Sequence, residues 1–316
     1  MNDLQTSPPP RILIVGAGSV GGYFGGRLAE AGRNVTFLVR RHRAEQLKQS
    51  GLKLISPHGD VTITPQLVRT GELNAAYDIV LLTVKAYALE KAMADFTQAV
   101  GRETMIVPFL NGMRHLDLLT AQFGPQPVMG GVCLVATSVK DDGSIVQMNE
   151  LQSLSYGELS GESSPRVEKL HRALSGAGFD SRLSQNIAQE MWDKWIYLAT
   201  LGGINCLLRG TIGEIEAAPG GSRLARNLLT ECSAVAAASG HAPAAEVIAK
   251  IQTAVTAPGS SQTSSMYRDL TVGKPVEADQ IIGDMMVRAN QLGVSTPLLE
   301  AAFASLKIYQ NRLPSS

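Results

Sequence analysis

A glycine-rich turn near the start of the chain constrains the fold most strongly. An apolar run beginning at Arg11 ends in the six residues Gly16, Ala17, Gly18, Ser19, Val20 and Gly21. The pattern predicts a buried strand that turns through glycines into a helix, the context in which G-x-G-x-x-G is typical of dinucleotide binding. Gly16 permits the tight turn, Gly18 leaves room for a pyrophosphate, and Gly21 lets the helix pack on the strand. A glycine-rich loop without a ligand is the alternative.

Length and charge set the broad class of the protein. With 316 residues the chain is long for one core, and we predict two domains. Its 28 basic and 28 acidic residues leave no net charge that would favour nucleic acid or an anionic membrane, so we expect neither partner. The apolar run 195–208 is too short to cross a bilayer comfortably. The polar, proline-rich residues 1–10 lack the pattern of a signal peptide and predict a loose tail.

The cysteines and histidines predict no metal site. Three widely spaced cysteines fit neither a disulfide framework nor a C-x-x-C pattern, and the five histidines show no H-x-x-x-H spacing. Buried, reduced thiols are the default expectation, and they agree with a cytoplasmic location.

Apolar runs predict a parallel sheet in the first half of the chain. After the first strand and its helix, 35–39, 78–85 and 104–109 have the near-continuous apolar character of strands buried on both faces. The runs 128–139 and 144–148 flank Asp141-Asp142-Gly143, which predicts an antiparallel hairpin that closes the sheet. Residues 154–158 could add one more strand.

Helical patterns replace strand patterns from about Ile187 onward. The segments predicted as helices are 187–209, 222–239, 244–254 and 277–292. We therefore predict a Rossmann-type, doubly wound α/β domain over residues 1–184 and an all-helical domain over residues 185–316. Because ligands in such sheets bind at the carboxyl ends of the strands, we expect the substrate between the two domains.

The end of the second strand indicates which nucleotide is bound. NAD-binding domains place an acidic residue about 20 positions after the glycines, where it binds the ribose 2′-hydroxyl. Here no Asp or Glu occurs between Glu30 and Glu45, and the strand continues into Arg40-Arg41-His42-Arg43. Guanidinium groups suit a 2′-phosphate, so the pattern favours NADPH, with Arg40 as the first candidate ligand. A solvated basic loop is the alternative.

The chain resembles the ketopantoate reductase (2-dehydropantoate 2-reductase) family over nearly its whole length. Five segments carry the resemblance: the glycine turn, Thr83-Val84-Lys85-Ala86, Leu110-Asn111-Gly112, Trp192-Asp193-Lys194-Trp195, and a region similar to the signature S-S-M-x-x-D followed by E-x-x-x-x-x-G, from Ser264 to Gly283. The resemblance implies a Rossmann domain, a helical domain, and NADPH-dependent reduction of a 2-oxo acid. The reaction it implies is ketopantoate to pantoate, in the biosynthesis of pantothenate and coenzyme A.

The resemblance also assigns roles to individual residues. Reduction of a ketone leaves charge on oxygen, so a positioned acid must protonate the developing alkoxide. Lys194 matches the family's catalytic lysine, Glu277 its acidic partner, and Ser265 a hydroxyl that binds the substrate carboxylate. Asn111 could bridge nicotinamide ribose and substrate, and Lys85 could reach either. Taken alone, each is also compatible with a structural role, such as a surface charge or a turn asparagine.

Two positions depart from the family pattern. Asparagines that contact substrate hydroxyl groups four and eight residues after the catalytic lysine are replaced by Leu198 and Gly202. Asn205 lies about 16 Å further along the helix than Lys194, too far for a simple replacement, whereas Tyr197 is a candidate donor. A less polar 2-oxo acid is therefore a second candidate substrate.

Two further functions are compatible with a glycine turn of this kind. One is a hydroxyacid dehydrogenase that works toward oxidation, and the other is a non-catalytic sensor that binds NADPH. The assembly state is equally open, because the apolar helical domain could bury a homodimer interface or only its own core.

Overall fold

The computed structural model describes residues 8–313. Of the tail predicted for residues 1–10, residues 1–7 lie outside the described range. Residues 8–10 form no helix or strand. Within the described range the strands are β1 Ile12–Val15, β2 Val35–Val39, β3 Leu52–Ile55, β4 Val61–Ile63, β5 Gln66–Arg69, β6 Ile79–Leu82, β7 Met105–Pro108, β8 Gly130–Val139, β9 Ile145–Gly157 and β10 Asp180–Leu183.

Helices alternate with these strands and then fill the rest of the chain. Those of the first part are α1 Ser19–Glu30, α2 Arg41–Ser50, α3 Leu89–Phe96, α4 Arg114–Phe123 and α5 Pro165–Leu174, with 3₁₀ turns at Ala86–Ala88 and Thr97–Ala99. Those of the second part are α6 Ile187–Leu208, α7 Ile212–Ala217, α8 Gly221–Ala238, α9 Ala245–Val255, α10 Ser265–Thr271, α11 Asp284–Leu292 and α12 Pro297–Arg312, with a π-helical turn at Asp279–Gly283.

A parallel sheet with strand order β5-β2-β1-β6-β7 organises the first part. Ile12 of β1 is in register with Val35 of β2 on one side and Ile79 of β6 on the other. Every residue of β1, β6 and β7 is buried, which explains the apolar runs in the sequence. The predicted Rossmann-type fold is confirmed.

The prediction that a hairpin closes this sheet is wrong. β8 and β9 do form an antiparallel hairpin. However, β9 also pairs in parallel with β3 and β10, so the hairpin belongs to a second sheet with β3, β4 and β10. Residues 154–157 are the end of β9 rather than a separate strand. The hairpin pattern was local, whereas the pairing of β9 with β3 joins distant segments that no turn signal marks.

The chain divides into two compact units that differ slightly from the predicted domains. Unit 1 comprises residues 8–110 and 115–188 of the described range, and unit 2 comprises 111–114 and 189–313. The short segment Asn111–Arg114, which follows β7, therefore belongs with the helices. We predicted a single boundary after residue 184. No pattern in the sequence indicated that residues 111–114 belong to the second unit.

Local sequence explains the helix ends in unit 2. Thr211 and Glu214 form a reciprocal capping box at α7, and the Ser264 hydroxyl accepts a hydrogen bond from the Tyr267 N–H at the start of α10. The middle of α6 is buried on most sides, with Trp195 fully inaccessible. None of the helices in the described range has the length and hydropathy needed to span a bilayer.

Candidate active site

The glycine turn in unit 1 is held by close backbone packing. Gly16 has a φ of 98°, in the left-handed region that favours glycine. A Cβ on Gly21 would lie 2.1 Å from both the Gly16 carbonyl oxygen and the Thr83 Oγ1. The Thr83 hydroxyl in turn donates to the carbonyl oxygens of Val15 and Gly16, at 3.0 and 3.1 Å. The turn is thus fixed against the end of β6.

The N-terminus of α1 is open to a ligand. Gly18 caps the helix without a side chain, and the first turn contains no acidic residue. A Cβ built on Gly18 meets no atom within 4 Å. Backbone N–H groups at such a helix start attract phosphate because the helix dipole adds to their hydrogen bonds. This open space and uncapped helix start fit the pyrophosphate of a dinucleotide, with Ser19 and Val20 in the first turn.

The three arginines after β2 have different environments. Arg40 is exposed and is the residue that precedes α2. Arg41 pairs with Glu45 at 2.9 Å across one helical turn. Arg43 is half-buried, and its guanidinium donates to the carbonyl oxygens of Ala17 and Gly143, each at 3.1 Å. Burial lowers the pKa of Arg43.

The different environments indicate different functions for Arg40 and Arg43 within the basic segment 40–43. Arg43 ties the glycine turn to the β8–β9 turn, which is a structural task that the sequence did not reveal. Arg40 keeps an exposed side chain at the start of a helix, where a 2′-phosphate could also approach backbone N–H groups. Lys85, half-buried, precedes the 3₁₀ turn that follows β6.

Lys194 lies on a firmly packed part of α6 in unit 2. The side chain of Lys194 is half-buried. Its neighbour Trp195 donates a hydrogen bond from Nε1 to the Ile281 carbonyl oxygen at 2.8 Å. Trp192 packs on Trp195, with ring centroids 4.9 Å apart. Asp193, whose pKa is raised by burial, accepts a hydrogen bond from Gln189. These contacts fix the part of α6 that carries Lys194.

The segment that carries Asn111 packs against the region following Glu277. The Gln280 side chain donates from Nε2 to the Asn111 carbonyl oxygen at 2.9 Å. Gly112 has a φ of 78°, and a Cβ there would lie 2.6 Å from the Gln280 carbonyl oxygen. Glu277, only 6% exposed, lies directly before the helical turn that contains Gln280. Two predicted site residues far apart in sequence are thereby brought to adjoining segments.

The segment that carries Ser265 packs against α6. Ser265 is half-buried and is the first residue of α10. A Cβ on Gly202 would lie 2.8 Å from the Met266 Cε, so α10 meets α6 two turns after Lys194. The Tyr197 hydroxyl, predicted as a replacement donor, accepts a hydrogen bond from Gln262 at 2.5 Å.

Asn205 has a structural task. It is fully buried, accepts from the Ser264 N–H at 2.9 Å, and donates to the Gly210 carbonyl oxygen at 2.8 Å. The side chain therefore braces the start of α10, which agrees with the prediction that it does not replace the missing asparagines. Within residues 8–313, no group of three or more His, Cys, Asp or Glu side chains is placed to hold a metal ion.

Comparison with known proteins covers both units. The family model described as "Ketopantoate reductase PanE/ApbA" matches residues 12–161, and that described as "Ketopantoate reductase PanE/ApbA C terminal" matches residues 186–310. An uncharacterized oxidoreductase, YkpB of Bacillus subtilis, is 35% identical over 95% of this chain and 99% of its own length. A 2-dehydropantoate 2-reductase of Mesorhizobium japonicum is 28% identical over 94% of this chain and 97% of its own.

A solved structure is similar over the same range. The crystal structure of 2-dehydropantoate 2-reductase from Geobacter metallireducens has a TM-score of 0.85 at 27% identity and covers 94% of this chain and 99% of its own. The two family models together span both units, from the glycine turn to α12. The chain belongs to the ketopantoate reductase family of NADP-dependent oxidoreductases.

Proposed function

We propose that the chain reduces the ketone of a 2-oxo acid to the 2-hydroxy acid with NADPH. Ketopantoate, the precursor of pantoate in pantothenate and coenzyme A biosynthesis, is the substrate that family membership supports. One observation in unit 2 carries the proposal, namely that the segments bearing the predicted residues contact one another. Asn111–Gly112 meets Gln280, α6 meets Ile281 through Trp195, and α10 meets α6 at Gly202.

Lys194 is the general acid of the proposed reaction. Its ammonium hydrogen-bonds the ketone oxygen of the substrate and gives that oxygen a proton as negative charge develops. Bound NADPH supplies the hydride. Glu277 orients Lys194 or the substrate, because a buried carboxylate is costly unless it faces a cation or a donor. The Ser265 hydroxyl binds the substrate carboxylate, and the Asn111 amide and Tyr197 complete the set of polar groups.

The proposed cofactor-binding residues are the glycine turn, Arg40 and Lys85 in unit 1, together with Asn111 and Glu277 in unit 2. The backbone of Gly16, Ala17, Gly18, Ser19, Val20 and Gly21 holds the pyrophosphate, and Arg40 binds the 2′-phosphate. Lys85, Asn111 and Glu277 act on the nicotinamide side. The support in unit 1 is the uncapped start of α1 and the exposed position of Arg40.

We expect Arg40→Ala to weaken NADPH binding selectively. A guanidinium–phosphate contact contributes about 1.5–3 kcal/mol, which corresponds to roughly a tenfold to hundredfold rise in Kd. NADH lacks the 2′-phosphate, so its Kd stays unchanged. Fluorescence titration with both nucleotides measures this, and Arg41→Ala is the matched control because Arg41 pairs with Glu45. An equal loss for NADH would contradict the assignment.

A less polar 2-oxo acid is the second candidate substrate. Leu198 lies one turn after Lys194, and the next turn carries Gly202, whose side is filled by Met266. The amide oxygen of Asn205 accepts from the Ser264 N–H, and its amide nitrogen donates to the Gly210 carbonyl oxygen. The side of α6 that follows Lys194 therefore offers few groups for a substrate hydroxyl. A site that lacks partners for a hydroxyl group loses its preference for a substrate that carries a hydroxyl.

A pair of substrates tests both candidates. Ketopantoate and 3,3-dimethyl-2-oxobutanoate differ only in the 4-hydroxyl group, and loss of NADPH absorbance gives kcat/KM for each. We expect both to be reduced, with the ratio of kcat/KM values within about a hundredfold, because a hydrophobic site rejects an added hydroxyl only weakly. Leu198→Asn should shift the ratio toward ketopantoate. Absence of turnover on any 2-oxo acid, with NADPH binding intact, would refute the proposed enzymatic activity. That result would favour the alternative of a non-catalytic sensor that binds NADPH.

We propose a cytoplasmic location from the state of the cysteines. Cys133, Cys206 and Cys232 are buried and form no disulfide within the described residues, and burial raises the pKa of Cys206 and Cys232 to about 12. Buried thiols outside disulfides agree with a reducing compartment such as the cytoplasm. We propose a homodimer as the assembly state.

A further inference from the structure

The helix after Glu277 is interrupted at a site that the family signature does not explain. The sequence predicted one continuous helix over 277–292, but the structure has a π-helical turn, Asp279–Gly283, before α11 begins. A π turn widens the backbone and is frequently retained at functional sites. The contacts made by its residues show what this one can do.

One side of the π turn is anchored to α12. The Lys307 ammonium lies 3.1 Å from the Asp279 carboxylate. Gly283 faces Phe303, and a Cβ on Gly283 would lie 2.9 Å from that ring. The turn thus has a fixed base within unit 2.

The other side of the π turn contacts the two segments that bear Lys194 and Asn111. Ile281 accepts the hydrogen bond of Trp195, the residue after Lys194, at 2.8 Å. Gln280, only 4% exposed, donates its side-chain amide to the Asn111 carbonyl oxygen at 2.9 Å. Two consecutive residues of the turn therefore set the spacing between α6 and the Asn111–Gly112 segment.

The hydrogen bond from Gln280 acts on a backbone with an unusual conformation. Gly112 adopts a left-handed conformation with a φ of 78°, and its Cα approaches the Gln280 backbone so closely that a side chain would not fit. The bond holds the carbonyl between Asn111 and Gly112, so it restrains the backbone from which the Asn111 side chain projects. A displacement of about 1 Å in a positioning group can cost on the order of 10²-fold in rate.

We propose that Gln280 is a positioning residue that holds the Asn111–Gly112 peptide so that the Asn111 amide faces the reacting atoms. This inference rests on the proposed function, because it assigns Gln280 a role through Asn111. Gln280 itself need not touch substrate or cofactor. The π turn places Gln280 next to Ile281, which accepts the hydrogen bond from Trp195. The backbone at Asn111 and the part of α6 that carries Lys194 are therefore held at a fixed distance from each other.

The test replaces Gln280 by methionine, which keeps the length of the side chain and removes its donor. We expect Gln280→Met to lower kcat about tenfold or more, with smaller changes in KM and in the Kd for NADPH, and thermal unfolding should show that the variant stays folded. Combined with Asn111→Ala, the same substitution should cause no further loss of kcat. Hydrogen–deuterium exchange of residues 110–113 should accelerate in Gln280→Met, and this readout does not depend on turnover.

Gln310→Met is the matched control. Gln310 donates to the Val276 carbonyl oxygen at 3.3 Å and to Asp279 at 3.4 Å, so within the described residues its hydrogen bonds go to the same region and not to Asn111. Unchanged exchange at 110–113 in Gln280→Met, an equal kcat loss in Gln310→Met, or an additive loss with Asn111→Ala would each overturn the inference. Failure of the wild-type protein to reduce any 2-oxo acid would instead refute the proposed function, and the exchange result would still decide whether Gln280 holds Asn111.

Discussion

Replacement of Lys194 by alanine should lower kcat/KM for 2-oxo acid reduction by about 10²–10⁴-fold, the range that a positioned general acid contributes. The expected cause is loss of the proton donor to the ketone oxygen, since α6 itself is held by Trp195 and its bond to Ile281. The Kd for NADPH should stay within about twofold, because the proposed cofactor phosphate site lies in unit 1. Steady-state kinetics and fluorescence titration measure the two quantities.

Lys194→Arg and Lys250→Ala refine this prediction. Arginine keeps the positive charge, but a guanidinium loses its proton far less readily than an ammonium, so it is a poor proton donor and should restore binding of the 2-oxo acid more than kcat. Lys250, exposed on α9, is a matched lysine without a proposed role, and its alanine variant should behave as wild type. Turnover that survives Lys194→Ala would remove Lys194 from the mechanism.

The parts of the fold that the sequence predicted are those with strong local patterns. β1, β6 and β7 are buried on all sides and appear as apolar runs, and the uncharged run 195–208 marks most of the long helix α6. The strands that the sequence did not predict are short and partly polar. β5 contains Arg69 and β10 contains Asp180 and Arg182, since these strands bury little of their surface.

The contacts missing from the sequence prediction join residues far apart in the chain. Arg43 belongs to a basic run that resembles a solvated segment, and only the fold turns its guanidinium toward Ala17. Gln280 and Asn111 are 169 residues apart, and nothing local distinguishes that glutamine from others on a helix. The family pattern supplied Lys194, Glu277 and Ser265 by position, but what surrounds each of them depends on tertiary packing.

Replacement of Gly21 by alanine should destabilise the protein and abolish cofactor binding together. The new Cβ would lie 2.1 Å from the Gly16 carbonyl oxygen and from the Thr83 Oγ1. Because one of these atoms belongs to the backbone of the glycine turn, the clash cannot be relieved by rotating a side chain. Overpacking of this kind lowers the free energy of unfolding by about 1–3 kcal/mol or more. Thermal unfolding and NADPH titration should both show the loss.

Gly18→Ala should separate binding from folding at the same turn. Gly18 has a φ of −84°, which alanine adopts without strain, and no protein atom lies within 4 Å of the added Cβ. We therefore expect Tm to stay the same or rise slightly, by the stabilisation of about 0.4–1 kcal/mol typical of compatible Gly→Ala changes. The methyl group would occupy the space that the pyrophosphate needs, so the Kd for NADPH should rise about tenfold or more, or about 1.4 kcal/mol or more. Unchanged NADPH affinity in a fully folded Gly18→Ala variant would mean that the phosphates do not lie over this turn.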